Sequence, residues 1–126
     1  MNWSAIASVF LALAVILGAF GAHGLRSRLD AYSMGIWEKA VFYHFVHSLG
    51  MLIASLLPRV QALSASAAAN VCWLLAAGVL IFSGSLYALA VSRVTVLGAI
   101  TPVGGLCFIA GWLLLAYSFV RQGGAQ

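Results

Sequence analysis

Four times the chain runs through about twenty residues with almost no charge, the length that crosses a bilayer core of about 30 Å as a helix. The runs span approximately residues 3–22, 37–57, 69–91 and 97–120. Six basic and two acidic residues, 6% of the 126, are all the charge available to wet a surface, while 64% of the chain is apolar. A domain folded in water carries roughly a quarter of its residues charged. The surface of this chain therefore faces lipid, and every backbone polar group in the hydrocarbon must be paired internally. The expected fold is all-α: a four-transmembrane-helix bundle forming one integral membrane domain over residues 1–126.

The formal charge of +4 does not signal nucleic acid. The six basic residues are scattered between apolar runs and form no phosphate-binding stripe. They read instead as topology signals and contacts to lipid headgroups. The first run lacks the positive leader of a secretory signal, so it is expected to be a retained helix. Cys72 and Cys107 each lie inside an apolar run, with no metal or disulfide spacing, and read as small buried residues.

The connectors differ in character. Between the first two runs, Leu25, Leu29, Tyr32 and Ile36 recur at helical spacing, with Arg26, Asp30 and Ser33 on another face. That pattern predicts a short amphipathic segment in the interface, with an ordinary polar loop as the alternative. The tail from Arg121 to Gln126 is expected to fray. Arg26, Arg28, Lys39 and Arg93 fall on one side, and Arg59 and Arg121 on the other. The positive-inside rule then places the first and third connectors in the cytoplasm and both termini outside. A C-terminal reporter active only in the cytoplasm would reverse this orientation.

Helices in lipid gain nothing by escaping water, so close approach of small residues must hold them. Small residues recur at seven-residue spacing: Ala7, Ala14 and Gly21, with a second row at Ala5, Ala12 and Ala19; Ala77 and Gly84; Gly98 and Gly105; Gly104 and Gly111. Such a repeat favours left-handed packing. The expected packing glycines are Gly18, Gly21, Gly84, Gly98, Gly104, Gly105 and Gly111. Trp3, Tyr32 and Trp37 are candidate interface markers, and Trp112 either that or a core filler. Pro102 fits the first turn of the fourth helix.

Polar side chains in hydrocarbon need a reason. On the second run, His44, His47, Ser48 and Ser55 share an arc of about 100°. Lys39, Tyr43 and His47 form an adjacent ladder. His23, Ser83, Ser85, Tyr87 and Thr101 lie toward the same side of the bilayer, whereas the far halves are almost purely aliphatic. The candidate site is a polar pocket of His23, Tyr43, His47, Ser83, Ser85, Tyr87 and Thr101, open toward the first and third connectors. The competing reading treats these groups as interhelical hydrogen-bond glue. His44 and His47 alone do not make a metal or haem site, and no cofactor is expected. No acidic residue lies deep enough to orient a Ser–His pair, so an enzyme is not expected.

Four motifs complete the reading. They are Leu17-Gly18-Ala19-Phe20-Gly21-Ala22-His23-Gly24-Leu25, Ala40-x-x-Tyr43-x-x-x-His47-x-Leu49, Phe82-Ser83-Gly84-Ser85-Leu86-Tyr87, and Leu97-Gly98-Ala99-Ile100-Thr101-Pro102-Val103-Gly104-Gly105, followed by Gly111-Trp112. In that order they resemble the domain of unknown function 423 family, a family of small inner-membrane proteins related to eukaryotic transmembrane protein 256. The resemblance implies a four-helix protein of the bacterial plasma membrane and supplies no activity. His44 lies outside its motifs. The expected role is a non-enzymatic accessory or assembly protein bound to other membrane proteins or to copies of itself; the alternatives are a small-molecule or ion carrier and a protein that binds lipid or quinone. Membrane lipids are partners in every case.

Overall fold

The structure, a computed structural model, describes residues 1–124. Among them, four segments are long and apolar enough to cross a membrane: Trp3–Leu25, Ala31–Val60, Ala65–Ser92 and Thr95–Gly124. They contain five α-helices: α1 (Trp3–Phe20), α2 (Ala31–Leu56), α3 (Ala65–Gly78), α4 (Gly84–Ser92) and α5 (Thr101–Gly124). π-turns at Gly21–Leu25 and Val79–Ser83 end the first span and join α3 to α4, and 3₁₀ turns at Leu57–Val60 and Thr95–Ala99 flank the connectors. The tail is helical through Gly124 rather than frayed from Arg121. Ala125 and Gln126 lie outside the described residues.

Side chains set the helix ends. Asn2 accepts from Ala5 N at 3.0 Å, Asp30 from Ser33 N at 2.8 Å and Ser64 from Ala67 N at 3.2 Å, each satisfying an amide that the first turn leaves free. Asp30 explains the main departure from expectation. It starts α2 at Ala31, so Tyr32 and Ile36 belong to the first turns of the spanning helix. The separate interfacial segment shrinks to the π-turn and a turn through Arg26–Asp30. The Ser33 amide, with help from Arg93, holds the Asp30 carboxyl below its ordinary range. Arg93 adopts φ 59°, caps α4 through its own N–H to Leu89 O, and reaches Asp30 at 3.1 Å. One ion pair thereby clasps the first connector to the third.

Each span packs on its neighbour in sequence. α1 lies along α2, α2 also meets α3 and α4, and α5 lies along α3. The second and third spans bury 39% and 44% of their apolar windows inside the protein, against 17% for the first and fourth. The inner pair thus forms the centre and the outer pair meets lipid. The larger core cluster includes Trp3, Ala7, Met51, Val71, Leu75 and Phe108, and the smaller one joins Leu25, Trp37 and Ala90. Trp3 and Trp37, read as interface markers, are both buried.

Glycines permit the closest approaches, though not all those expected. A Cβ on Gly104 would lie 2.7 Å from Phe82 Cα, and one on Gly111 would meet the Leu75 side chain at 2.9 Å. Gly21 accommodates the Trp37 indole, and Gly18 faces Val41. Gly84 has nothing within 4 Å, while Gly98 and Gly105 meet only ordinary contacts at 3.8 Å. These three do not permit close packing. The reason for Gly84 is the π-turn just before it, which inserts one residue and rotates the following helix by about 100° against the seven-residue row. Gly78 and Gly50, unmarked by that row, receive Phe108 and Trp112 instead. Gly98 sits in the 3₁₀ turn, outside α5.

Candidate functional site

Polar groups gather where the two core clusters meet. α2 runs from Ala31 to Leu56, so its midpoint falls at Tyr43 and His44. His44 is buried, with Nδ1 2.9 Å from the Tyr87 hydroxyl of α4. In the tautomer with its proton on Nε2, the imidazole accepts from the phenol, and the pair is neutral. One turn further, His47 Nδ1–H donates to Tyr43 O at 2.8 Å, which fixes its tautomer. The His47 ring lies on Phe108 of α5 with centroids 3.6 Å apart and planes at 15°, and the Tyr43 ring lies beside both, 5.7 Å from His47 and 6.1 Å from Phe108.

Three more ties cross between elements. Ser83 Oγ donates to Ala40 O at 2.8 Å, joining the π-turn of the third span to α2. Ser85 and Thr101 hydroxyls lie 2.6 Å apart, joining α4 to the start of α5. Trp37 Nε1 donates to Leu17 O at 3.0 Å, joining α2 to α1, while its ring packs on Tyr87 with centroids 4.7 Å apart. The Leu17 carbonyl lies just before the π-turn at Gly21.

The seven candidate residues are therefore not equivalent. Tyr43, His47, Ser83, Ser85, Tyr87 and Thr101 come together as pairs and stacks, each with its own partner, rather than around one space. None lines the grooves on the surface of the bundle. His23 is exposed on the first π-turn and stands apart. Two central participants stand outside the candidate pocket read from the sequence. His44 lay outside the family motifs, although its depth on α2 marks it, and Trp37 sat too near a supposed helix start to look buried. Among the described residues, no three of His, Cys, Asp and Glu converge.

Ser48 is the one buried side chain whose polar atom has no partner among the described residues. It is fully buried on α2. An unmet hydroxyl contributes a desolvation penalty and no bond. Ser48→Ala is expected to leave stability unchanged or raise it by about 1 kcal/mol, read from the unfolding midpoint in mixed detergent micelles. A clear drop would reveal a partner for the hydroxyl.

An apolar groove lies elsewhere, on the outer face between the first two spans. It encloses about 350 Å³ along Gly18, Gly21, Trp37, Val41, Phe42 and Phe45, with Arg26 and Glu38 at its mouth.

A family model described as a protein of unknown function (DUF423) matches residues 17–105, which contain both π-turns, the histidines and this groove. A UPF0382 membrane protein of Staphylococcus haemolyticus is 49% identical over 106 residues, covering 84% of each chain. One of Staphylococcus epidermidis is 46% identical over 112 residues, covering 89% of each. One of Bacillus subtilis is 42% identical over 110 residues, covering 86% of this chain and 88% of the relative. No solved structure matches.

Proposed function

We propose that this chain, which belongs to the DUF423 family of membrane proteins, is a non-enzymatic accessory subunit that packs laterally against other proteins of the bacterial plasma membrane. One observation carries the reading. The interior polar groups, which a carrier or an enzyme would need free, are engaged in ties between helices. Ser83 is bonded to Ala40, Ser85 to Thr101 and Tyr87 to His44, and His47 is bonded to Tyr43 O with its ring stacked on Phe108 of α5. Polar groups used in this way hold a bundle together and leave no chain of sites for a moving solute.

The outward face of α1 supports the same role. Ala7, Ala14 and Gly21 pack against the protein, while the second small-residue row, Ala5, Ala12 and Ala19, remains exposed. The glycines that approach neighbours most closely are already used within the chain, so self-association through glycine faces has little left to work with. The charge asymmetry of the connectors favours termini outside the cytoplasm.

A photo-crosslinking residue placed at Ala12 in living cells tests the proposal. The expected product is an adduct with a different membrane protein, absent when the residue replaces buried Ala14. An adduct of twice the chain mass would replace the reading with self-assembly. Lipid adducts alone at Ala12 would overturn it.

A further inference from the structure

The groove between the first two spans has the shape of a lipid site and an unusual mouth. Its walls are apolar, and Phe45 lies about 10 Å deeper along α2 than Glu38. Gly18 and Gly21 of the first span draw Val41 and Trp37 close and form one side of the groove, with Phe42 and Phe45 on the other. Arg26 and Glu38, both exposed, line the same opening. Neither takes part in an ion pair among the described residues, where Asp30 and Arg93 form the recorded bridge. A cation and an anion thus line one groove, and neither is paired among the described residues.

We propose that this groove binds a phospholipid with a phosphoethanolamine headgroup, its phosphate on Arg26, its ammonium on Glu38 and one acyl chain along Phe42 and Phe45. The charge pattern selects this class. A guanidinium grips phosphate through paired N–H donors, and a primary ammonium donates charge-assisted hydrogen bonds to a carboxylate. A choline headgroup carries the positive charge but has no N–H to give. A glycerol headgroup satisfies Arg26 and leaves Glu38 beside a net negative lipid. The site requires no protein partner and stands independently of the accessory role.

Native mass spectrometry of the detergent-purified protein, offered equal amounts of phosphatidylethanolamine, phosphatidylcholine and phosphatidylglycerol with identical acyl chains, tests this. Retention of the ethanolamine lipid should exceed each of the others about tenfold, the worth of one strong charged contact. Glu38→Gln should abolish the preference over phosphatidylcholine, and Ala22→Phe, which fills the trough, should lower retention of all three. On the unaltered protein, stepwise N-methylation of the ethanolamine lipid should weaken binding at each step, so the test survives a variant that folds poorly. Equal retention of the three lipids, as for a loose annular shell, would overturn the proposal. So would a preference untouched by Glu38→Gln or by N-methylation.

Discussion

Gly104→Leu is expected to lower the stability of the bundle by about 3 kcal/mol, the upper range for forcing atoms into a filled interior. The cause is the obstacle. A Cβ at Gly104 would run into the backbone of Phe82, with Cα 2.7 Å away, and a helix backbone cannot step aside as a side-chain tip can. The fourth span would have to move off the third, weakening the Ser85–Thr101 tie and the stack of His47 on Phe108. The adjacent glycine provides the control. At Gly105 a Cβ meets only the Phe82 ring edge at 3.8 Å, so Gly105→Leu should cost less than about 1 kcal/mol. Gly84→Ala, in open space, should be neutral or stabilising by about 0.5 kcal/mol because alanine suits a helix interior better. Unfolding midpoints followed by circular dichroism separate the three. Equal losses at Gly104 and Gly105 would refute the close contact between Phe82 and α5.

Trp37→Ala carries the second large effect, a loss of roughly 3 kcal/mol. The indole is buried, fills the space that Gly21 leaves, packs on Tyr87 and donates to Leu17 O. Transfer from water contributes little to this figure, since the alternative surroundings are lipid; the loss is of packing contacts and of one hydrogen bond. Trp37→Phe divides the two. It keeps most of the ring and should cost only about 0.6 to 1.7 kcal/mol, the range for a hydrogen bond between helices in a membrane. A Trp37→Ala protein that unfolds at the midpoint of the parent would show that the first span does not rely on this residue.

The helical segments are legible from the sequence because hydrocarbon admits no other solution for so long an uncharged run. Their boundaries are less so. α2 begins six residues before Trp37 since Asp30 caps it, and a polar first turn such as Ala31-Tyr32-Ser33 resembles a loop until the cap is seen. Residues that share a face are legible only while the helix keeps a constant period. Gly104 and Gly111 keep theirs along α5 and make close contacts, whereas the π-turn ahead of Gly84 breaks the row that passed through it. Nothing in the composition of Val79-Leu80-Ile81-Phe82-Ser83 announces that turn. The polar cluster was visible as a list of residues, while its pairings depend on how adjacent helices are rotated, which no single helix encodes. That is why His44, opposite Tyr87, is legible on the polar arc of α2 yet stands outside the candidate pocket, while exposed His23 falls within it.

The packing of each span on the one that follows it has a consequence for biosynthesis. The first two spans share the Trp37–Leu17 bond and the last two share the Gly104–Phe82 contact, so the chain is two helical hairpins in series. Each hairpin can close as soon as its second arm has left the ribosome and entered the bilayer, before the remainder has been translated. The His44–Tyr87 and Ser83–Ala40 bonds belong to neither hairpin. They form when the two halves dock, which makes them the last-formed joints of the protein and the ones whose formation reports that assembly is complete.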